Sequence, residues 1–293
     1  MADKEVYILE NKDFPDKLQK IKNSPERLYL LGNKKLIFED SLAVIGTRKI
    51  SDYGIMCLEK IVSELVLRDI IITSGLAKGT DALAHKMALD FQTKTIAVLG
   101  GGFDYVYPKE NEELFKRILR NDGLIISEYP PDEKYKSEYF PKRNRIISAI
   151  SLGVLVIEAT YRSGTSITAN YAREQGKKVF AVPGRIDSKY SYGAHEILKA
   201  GGRLVTEGRD IINSFPQFMC KKRKSVPGKE LKNENKNQRY EKIIKILENG
   251  STSIDDIVYK SNLERTEILN ILFEMQLEGI IEERIGDGYV LKK

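Results

Sequence analysis

Cationic and aromatic residues cluster in one short segment, Phe140–Arg145, directly before an apolar run. Pro141 suits the first turn of a helix, where its missing N–H group costs nothing. The free N–H groups of such a turn, with Arg143 and Arg145 beside them, suit an anion such as phosphate. Phe140 adds an aromatic face, and aromatic groups next to cations bind single-stranded nucleic acid. The alternative interpretation is an amphipathic helix with a solvated basic face.

Small, hydroxyl and cationic residues also follow most of the predicted strands. Glycine lets the backbone approach a ligand, hydroxyl and N–H groups bond to phosphate oxygens, and Arg or Lys neutralises the charge. Ligands of parallel sheets bind beyond the carboxyl ends of the strands. These loops therefore predict a phosphate-lined crevice, although glycine also serves ordinary turns. The predicted phosphate-loop residues are Gly46, Thr47, Ser74, Gly75, Gly101 and Gly102.

The crevice does not fit a nicotinamide dinucleotide. No G-x-G-x-x-G pattern follows the first strand, and Thr73 and Ser74 end the second strand, where an acidic residue would bind the ribose. Cys57 and Cys220 are too few and too far apart in the sequence for a disulfide framework or a zinc site. We therefore expect neither a cofactor nor a metal.

Between residues 41 and 215, short apolar runs alternate with amphipathic segments. The predicted strands are 43–45, 70–73, 95–99, 124–127, 154–158, 179–182 and 204–205, and the predicted helices are 51–68, 81–91, 110–120, 141–151, 166–175, 194–200 and 210–213. Continuous apolar strands indicate a sheet that is covered on both faces, and repeated βα units predict an α/β, doubly wound parallel sheet. Residues 1–40 are expected to form an arm that packs on this core.

Residues 216–238 are predicted to be a basic, flexible linker. Residues 221–238 contain seven basic and two acidic residues. Low hydrophobicity and charges of one sign favour disorder. Composition does not decide whether the linker is only a tether or also attracts nucleic acid. If it does attract nucleic acid, deleting it should weaken DNA binding at low salt without changing strand preference.

Residues 239–293 have the pattern of a small winged helix-turn-helix domain. Ile243 and Leu247 mark a first helix, and Ser253 opens a second with a capping pattern. The third helix is expected to bury Ile268, Leu269, Leu272 and Met275. A hairpin turn is predicted at Gly286-Asp287-Gly288.

The third helix of this domain is unsuited to reading DNA. Four of its five charged residues are acidic, and DNA phosphates would repel them. These five residues are Glu264, Arg265, Glu267, Glu274 and Glu278. We infer a protein-binding or regulatory module.

The overall composition is that of a soluble globular protein, with 293 residues, 41% hydrophobic and 31% charged. No apolar run approaches the roughly 18 residues of a membrane span, and the first residues lack a signal-peptide pattern. A cytoplasmic protein without membrane contact is expected. The net charge of +6 permits nucleic-acid binding without establishing it.

Taken in order, these motifs resemble the DprA/Smf family, the DNA-processing protein A of bacteria. The resemblance covers about residues 14–213, and its segments are Ala43–Arg48, Ser74–Gly79, Ile96–Pro108, Ser127–Pro130, Phe140–Ile147, Ser163–Ala169 and Ala181–Gly184. It implies an extended Rossmann-like fold with a C-terminal winged-helix domain. It also implies a homodimer that binds and protects single-stranded DNA and loads RecA in natural transformation (competence) and recombination.

The resemblance also implies individual DNA contacts. Carried over by motif, they are Arg48, Lys109, Phe140, Arg143, Arg145, Ser163 and Gly164, with Lys177 and Lys178 as additions. The chain departs from the family pattern at three places. Thr80 stands where isoleucine is usual, Thr165-Ser166 varies a small-residue loop, and His195 replaces a common asparagine.

The sequence is compatible with three functions. The favoured one is a non-enzymatic, salt-sensitive and sequence-tolerant binder of single-stranded DNA, with no catalytic residues. The second is an enzyme acting on nucleotides, because related folds include phosphoribohydrolases of the lonely-guy type. In those enzymes paired glutamates follow a Gly-Gly-x-Gly-Thr loop, whereas Ser166-Ile167-Thr168 follows Gly164-Thr165 here.

The remaining acid–base candidates of such an enzyme are Asp81, Glu158 and His85, for which structural roles are favoured. The third function is a ligand-sensing transcription regulator. The acidic third helix argues against it, and a footprint on duplex DNA would favour it.

Overall fold

A computed structural model describes residues 5–161, 163–221, 233–248, 250, 252–261, 263, 265–277, 279–284 and 288–292. The chain divides into two compact units, Met1–Val226 and Pro227–Lys293. No helix in these described ranges is long and apolar enough to cross a membrane.

A nine-stranded sheet forms the centre of the first unit. Its strands are β1 (Val6–Glu10), β2 (Arg27–Gly32), β3 (Ser41–Ile45), β4 (Ile71–Ser74), β5 (Thr95–Leu99), β6 (Leu124–Ser127), β7 (Gly153–Val156), β8 (Lys178–Ala181) and β9 (Arg203–Leu204). They lie in the order β1-β2-β6-β5-β4-β3-β7-β8-β9. The chain thus winds outwards from β3 in one direction through β6 and in the other from β7 to β9.

The sheet is mostly, but not wholly, parallel. Strands β3 to β9 pair in parallel. The N-terminal arm is part of the sheet, because β2 pairs antiparallel with β6 and β1 with β2. The expectation of an arm packed on the core thus understated its role, since these strands complete one edge of the sheet.

Helices cover both faces of the sheet. They are α1 (Asp16–Gln19), α2 (Asp52–Val66), α3 (Thr80–Asp90), α4 (Glu112–Arg120), α5 (Tyr139–Ile150), α6 (Gly164–Glu174), α7 (Tyr192–Lys199), α8 (Gly208–Ile212) and α9 (Pro216–Met219). Short 3₁₀ helices span Asn11–Asp13, Lys34–Phe38 and Lys109–Asn111. In β3, Ala43 and Ile45 pack in the core with residues of α5 and α6, whereas Leu42 and Val44 pack with α2. This two-sided burial explains the continuous apolar pattern.

The second unit contains α10 (Asn233–Leu247), α11 (Ile254–Ser261) and α12 (Arg265–Leu277), followed by an antiparallel pair, β10 (Ile281–Arg284) and β11 (Gly288–Leu291). Ser253 accepts the N–H of Asp256 and so caps α11, as its sequence pattern predicts. Ile268, Leu272 and Met275 are buried as expected. The prediction for Leu269 is wrong, because this residue is 45% exposed on α12.

Parts of the predicted linker and wing fall outside the described ranges. These parts are residues 222–232, Glu264, Glu278 and the predicted turn residues Gly286 and Asp287. Within the predicted linker, 216–238, the structure places α9 and the beginning of α10.

Candidate nucleic-acid interface

A cavity of about 500 Å³ lies at the carboxyl ends of β3 and β7. These neighbouring strands are the point from which the chain winds in both directions, and such a switch point is where doubly wound sheets bind ligands. The loop after β3 contributes Thr47, and the loop before α6 contributes Ser163. We call this the switch-point cavity. It is lined by Ile45, Gly46, Thr47, Arg48, Ala77, Asp81, Tyr107, Ser137, Phe140, Pro141, Arg143, Asn144, Ile147, Thr160, Ser163, Gly164, Thr165 and Thr168.

Arg48 and Phe140 form the cationic and aromatic part of the cavity wall. The exposed guanidinium of Arg48 lies over the half-buried ring of Phe140, with its Cζ atom 5.9 Å from the ring centre. Phe140 also contacts Tyr107, whose ring centre is 5.4 Å away, and Tyr135, at 6.3 Å. A cation on an aromatic cluster offers both charge and stacking area to a ligand.

Arg143 lies deeper in the wall and belongs partly to the fold. It is 5% exposed, and its Nη1 group donates to the carbonyl oxygens of Gly75, at 2.7 Å, and Val98. It thereby ties α5 to the ends of β4 and β5. Burial lowers the pKa of Arg143 to about 10, and the Asp81 carboxylate opposes this shift. Arg143 therefore lines the cavity but does not stand free beside the first turn of α5, as the sequence interpretation supposed.

Arg145 is not among the residues that line the cavity. Its guanidinium makes a two-pronged ion pair with Glu128, at 2.6 and 3.0 Å, and its Nε group donates to the carbonyl oxygen of Asn23 at 2.9 Å. With 8% exposure it is almost fully engaged within the protein. The structure therefore places the Arg145 guanidinium in an ion pair outside the cavity, and its DNA contact stays a prediction.

The predicted lysines lie in different places. Lys109 is exposed in the 3₁₀ helix that follows Pro108. Pro108 lines a recess of about 70 Å³ next to the switch-point cavity. Arg48, Phe140 and Arg143 line both the recess and the cavity. Lys177 and Lys178 lie at the amino end of β8, whereas the cavity is at the carboxyl ends of the strands. Lys178 donates to the carbonyl oxygen of Ser214 and lies over the ring of Phe215. The structure thus separates these two lysines from the cavity.

The predicted phosphate loops divide into two groups. Gly46 and Thr47 line the switch-point cavity, and Gly75 lines the adjoining recess. Ser74 is buried and donates to the carbonyl oxygen of Val44 at 2.7 Å. These residues bring β3 and β4 together below the site.

Gly101 and Gly102 instead pack against the Pro130–Tyr135 loop. A Cβ atom on Gly102 would lie 2.2 Å from the carbonyl oxygens of Pro130 and Pro131. The N–H of Gly102 donates to the carbonyl oxygen of Glu133 at 2.7 Å. Close packing of two loops, not access for a phosphate, explains these glycines.

Ser163 and Gly164 line the cavity, in the loop that the sequence places after a strand end. Ser163 precedes α6 as its N-cap residue, and a Cβ atom on Gly164 would meet nothing within 4 Å. Thr165 donates to the carbonyl oxygen of Gly46 at 2.9 Å, which joins the two loops. The backbone N–H groups at the start of α6 therefore border open space beside Arg48.

Some lining residues were not singled out from the sequence. Asn144 lies between two predicted arginines and donates to the carbonyl oxygen of Gly164 at 3.3 Å. The position of Asn144 inside the Phe140–Arg145 segment was the sequence signal that indicated a place in the site. Thr160 and Thr168 follow β7 in the same stretch as Ser163, and a full list of hydroxyl residues there would have included both.

The acid–base candidates are held within the fold. Glu158 accepts the N–H and the hydroxyl of Ser51, at 3.0 and 2.5 Å, at the start of α2. His85 is fully buried and its Nδ1 atom is 2.7 Å from the Thr95 hydroxyl. Burial lowers the pKa of His85 to about 3. Both positions correspond to the structural roles that we favoured.

Asp81 is buried on the cavity wall. Its Oδ2 atom accepts the N–H groups of Gly75, at 3.1 Å, and Ala77, at 3.4 Å. Burial raises the pKa of Asp81, and Arg143 and these N–H groups oppose the shift. Within the described ranges, no group of three or more His, Cys, Asp or Glu side chains is placed to hold a metal ion.

Comparison with known proteins agrees with this arrangement. Residues 5–216 match the sequence pattern of DNA recombination-mediator protein A. The chain belongs to this family. DNA processing protein DprA of Streptococcus pneumoniae is 43% identical over 202 residues, which are 69% of this chain and 71% of that protein. Protein Smf of Escherichia coli is 35% identical over 292 residues, 99% of this chain and 76% of its own length.

Two solved structures of the DprA family share the fold. The X-ray structure of DprA from Streptococcus pneumoniae superimposes with a TM-score of 0.69 at 41% identity, over 72% of this chain and 75% of that one. DprA from Helicobacter pylori, a protein with a described single-stranded DNA binding mode, gives 0.66 at 30% identity, over 72% and 96%. The resemblance to DprA/Smf is thus confirmed, and with it a place in DNA processing and recombination.

Proposed function

We propose that this DprA-family member binds single-stranded DNA in the switch-point cavity. The observation that carries the proposal is the exposed Arg48 guanidinium over Phe140, on the wall of a 500 Å³ cavity. A nucleotide entering there meets a cation for its phosphate and an aromatic ring for its base. Neither contact reads base edges, so binding is sequence-tolerant and weakens as salt rises.

The way in which the cavity is built favours a single strand over a duplex. Phe140 and Tyr107 line the cavity with aromatic rings, and only an unpaired base can expose its face to stack on them. The Helicobacter pylori relative, at 30% identity, has a single-stranded DNA binding mode of its own, which supports the same ligand for this chain.

Binding without catalysis is part of the proposal. The carboxylates of Asp81 and Glu158 accept hydrogen bonds from the surrounding backbone and from Ser51, and His85 is in the core. A general base must reach the proton that it removes. These three groups are engaged where they stabilise the start of α2, the start of α3 and the centre of the sheet.

The finer role follows from the family. We propose that a cytoplasmic homodimer protects incoming single strands and loads RecA onto them in transformation or recombination. We also propose that residues 239–293 form a winged-helix domain. The order of three helices and a hairpin supports this proposal, and the acidic charge of its third helix favours a protein partner.

Fluorescence anisotropy of labelled single-stranded and duplex oligonucleotides, across a salt series, tests DNA binding. We expect tight binding to single strands that falls with salt and is weakened at least tenfold by Arg48→Ala. Arg120→Ala, an exposed arginine of α4 outside the cavity, is the matched control and should bind like the wild type. Equal affinity for duplex, or an unchanged affinity in Arg48→Ala, would overturn the proposal. A RecA filament assay on strands coated with single-strand-binding protein then tests loading.

A further inference from the structure

An acidic residue lies on the wall of a cavity that is otherwise suited to anions. Asp81 is 7% exposed, and it is the only acidic residue among the described residues that line the switch-point cavity. Arg48 and Arg143 are the cations on the same wall. A phosphate that binds these arginines therefore comes close to the buried carboxylate of Asp81, which lines the same wall.

The two anions compete for the same positive charge. Arg143 stabilises the ionised form of Asp81, and Arg48 and Arg143 repel each other. Because Asp81 and Arg143 are buried, charges beside them interact more strongly than charges in bulk solvent. A phosphate in the cavity consequently disfavours the ionised carboxylate, and the ionised carboxylate disfavours the phosphate.

The surroundings of Asp81 favour its protonation, which removes the repulsion between its carboxylate and a bound phosphate. Burial already disfavours its charged form and raises its pKa. The groups that face it are Arg143 from α5, the Ser74 hydroxyl from β4, and the backbone N–H groups of Gly75 and Ala77. On its own helix, burial keeps the pKa of His85 at about 3, so this histidine is neutral in the same range. Lys78, at the rim of the adjoining recess, is paired with Glu110 at 2.5 Å.

We propose that binding of a DNA phosphate in the switch-point cavity is coupled to the uptake of one proton by the carboxylate of Asp81. This inference rests on the proposed function. The proton comes from solvent, the phosphodiester keeps its negative charge, and the carboxylate becomes a neutral acid. The phosphate then supplies the negative charge near Arg48 and Arg143 that the carboxylate has given up. Asp81 thus makes the affinity for single strands depend on pH.

Isothermal titration calorimetry of the full chain measures the proton directly. A labelled or unlabelled oligo-dT is titrated in two buffers of equal pH and different ionisation enthalpy. Across a pH series we expect a net uptake of up to one proton per site, because a bound phosphate favours the neutral form of the Asp81 carboxyl. No uptake anywhere in this series, with binding present, would overturn the inference while leaving the proposed function intact.

The substitution Asp81→Asn assigns the proton to this residue. The amide oxygen of asparagine can accept the same N–H groups from Gly75 and Ala77, so the fold is kept. We expect the wild type to lose affinity by up to about tenfold per pH unit on the alkaline side. The variant should bind more tightly than the wild type at about pH 8 and lose this pH dependence and the proton uptake.

Asp90→Asn, at the exposed end of the same helix, is the matched control and should behave like the wild type. An equal pH dependence in wild type and Asp81→Asn would overturn the inference. Absence of single-strand binding by both proteins at every pH would instead contradict the proposed function. Should Asp81→Asn fail to fold, the wild-type calorimetry alone decides.

Discussion

The side chains of Arg145 and Glu128 form a two-pronged ion pair, at 2.6 and 3.0 Å, and neither residue lines the switch-point cavity. Only 9% of the Arg145 side chain and 22% of the Glu128 side chain are exposed. This pair fastens α5 to the end of β6 and, through the carbonyl oxygen of Asn23, to the segment before β2.

Replacing Arg145 should therefore reduce stability and not affinity. Arg145→Ala leaves Glu128 partly buried without its counter-ion, which costs about 2–4 kcal/mol of unfolding free energy. Urea denaturation measures this loss, and anisotropy at low temperature measures DNA binding of the folded fraction, which should not change. Arg120→Ala, which breaks an exposed pair with Glu113, should leave stability near that of the wild type. If Arg145→Ala weakened DNA binding and left stability unchanged, this result would support a direct contact between Arg145 and DNA.

Replacing Phe140 by leucine should separate stacking from charge. Leucine keeps apolar volume against Tyr107 and Tyr135 but removes the ring, so affinity for single strands should fall by about 1–3 kcal/mol. The slope of log affinity against log salt should stay the same, whereas Arg48→Ala should reduce it by about one. Phe38→Leu, at an exposed aromatic outside the cavity, is the control. Equal loss of slope in both cavity variants would contradict the separate roles of ring and cation.

Two glycine substitutions should have opposite effects. In Gly102→Ala the new methyl group meets two carbonyl oxygens at 2.2 Å, and relief requires backbone movement. We expect thermal and urea denaturation to show a loss of about 1–3 kcal/mol. In Gly164→Ala the methyl group meets nothing within 4 Å.

Gly164→Ala should thus leave stability unchanged or raise it by up to about 1 kcal/mol. It should nevertheless weaken binding of single strands, because the methyl group stands at the mouth of the cavity. A stable variant with wild-type affinity would show that DNA does not approach the start of α6.

The buried histidine should make stability fall in mild acid. The unfolded chain protonates His85 near its ordinary pKa of 6.5, whereas burial and the nearby Arg143 lower the folded-state pKa to about 3. The unfolded state therefore binds more protons below about pH 6.5. Stability is complete above that pH and is lost as the pH falls towards 3, by up to about 1.4 kcal/mol per unit.

Denaturation of the wild type and His85→Gln between about pH 5 and pH 8 measures this contribution. The difference in unfolding free energy between the two proteins should shrink as the pH falls, because glutamine does not titrate. A constant difference across the range would show that His85 takes up its proton equally in both states.

Local pattern was sufficient for most of the fold and for part of the site. Continuous apolar strands such as β5 and β6 were placed at their observed limits, because burial on both faces leaves a strong signal. Arg48, Ser163 and Gly164 follow β3 and β7, so the strand-end rule placed them correctly beside one another.

Some predicted site residues lie away from the cavity, and the causes are geometric. Arg143 and Arg145 are two positions apart in α5, and residues two apart on a helix point about 200° from each other. The two arginine side chains therefore cannot both face one cavity. The number of charges in the segment does not reveal this difference in direction. Gly101 and Gly102 pack against the Pro130–Tyr135 loop, which lies about 30 residues further along the sequence. A local sequence pattern does not predict a contact between such distant segments.

The position of β3 between β4 and β7 has a consequence for a chain that is still being made. The cavity wall needs both Arg48 and Ser163, which are separated by more than a hundred residues of sequence. Before β7 and α6 have been synthesised, one edge of β3 has no neighbouring strand, and the carbonyl oxygen of Gly46 lacks the hydrogen bond that the Thr165 hydroxyl donates. Under the proposed function, more than half of the chain must therefore be synthesised before the cavity can bind DNA, and a fragment that stops before α6 lacks part of the cavity wall.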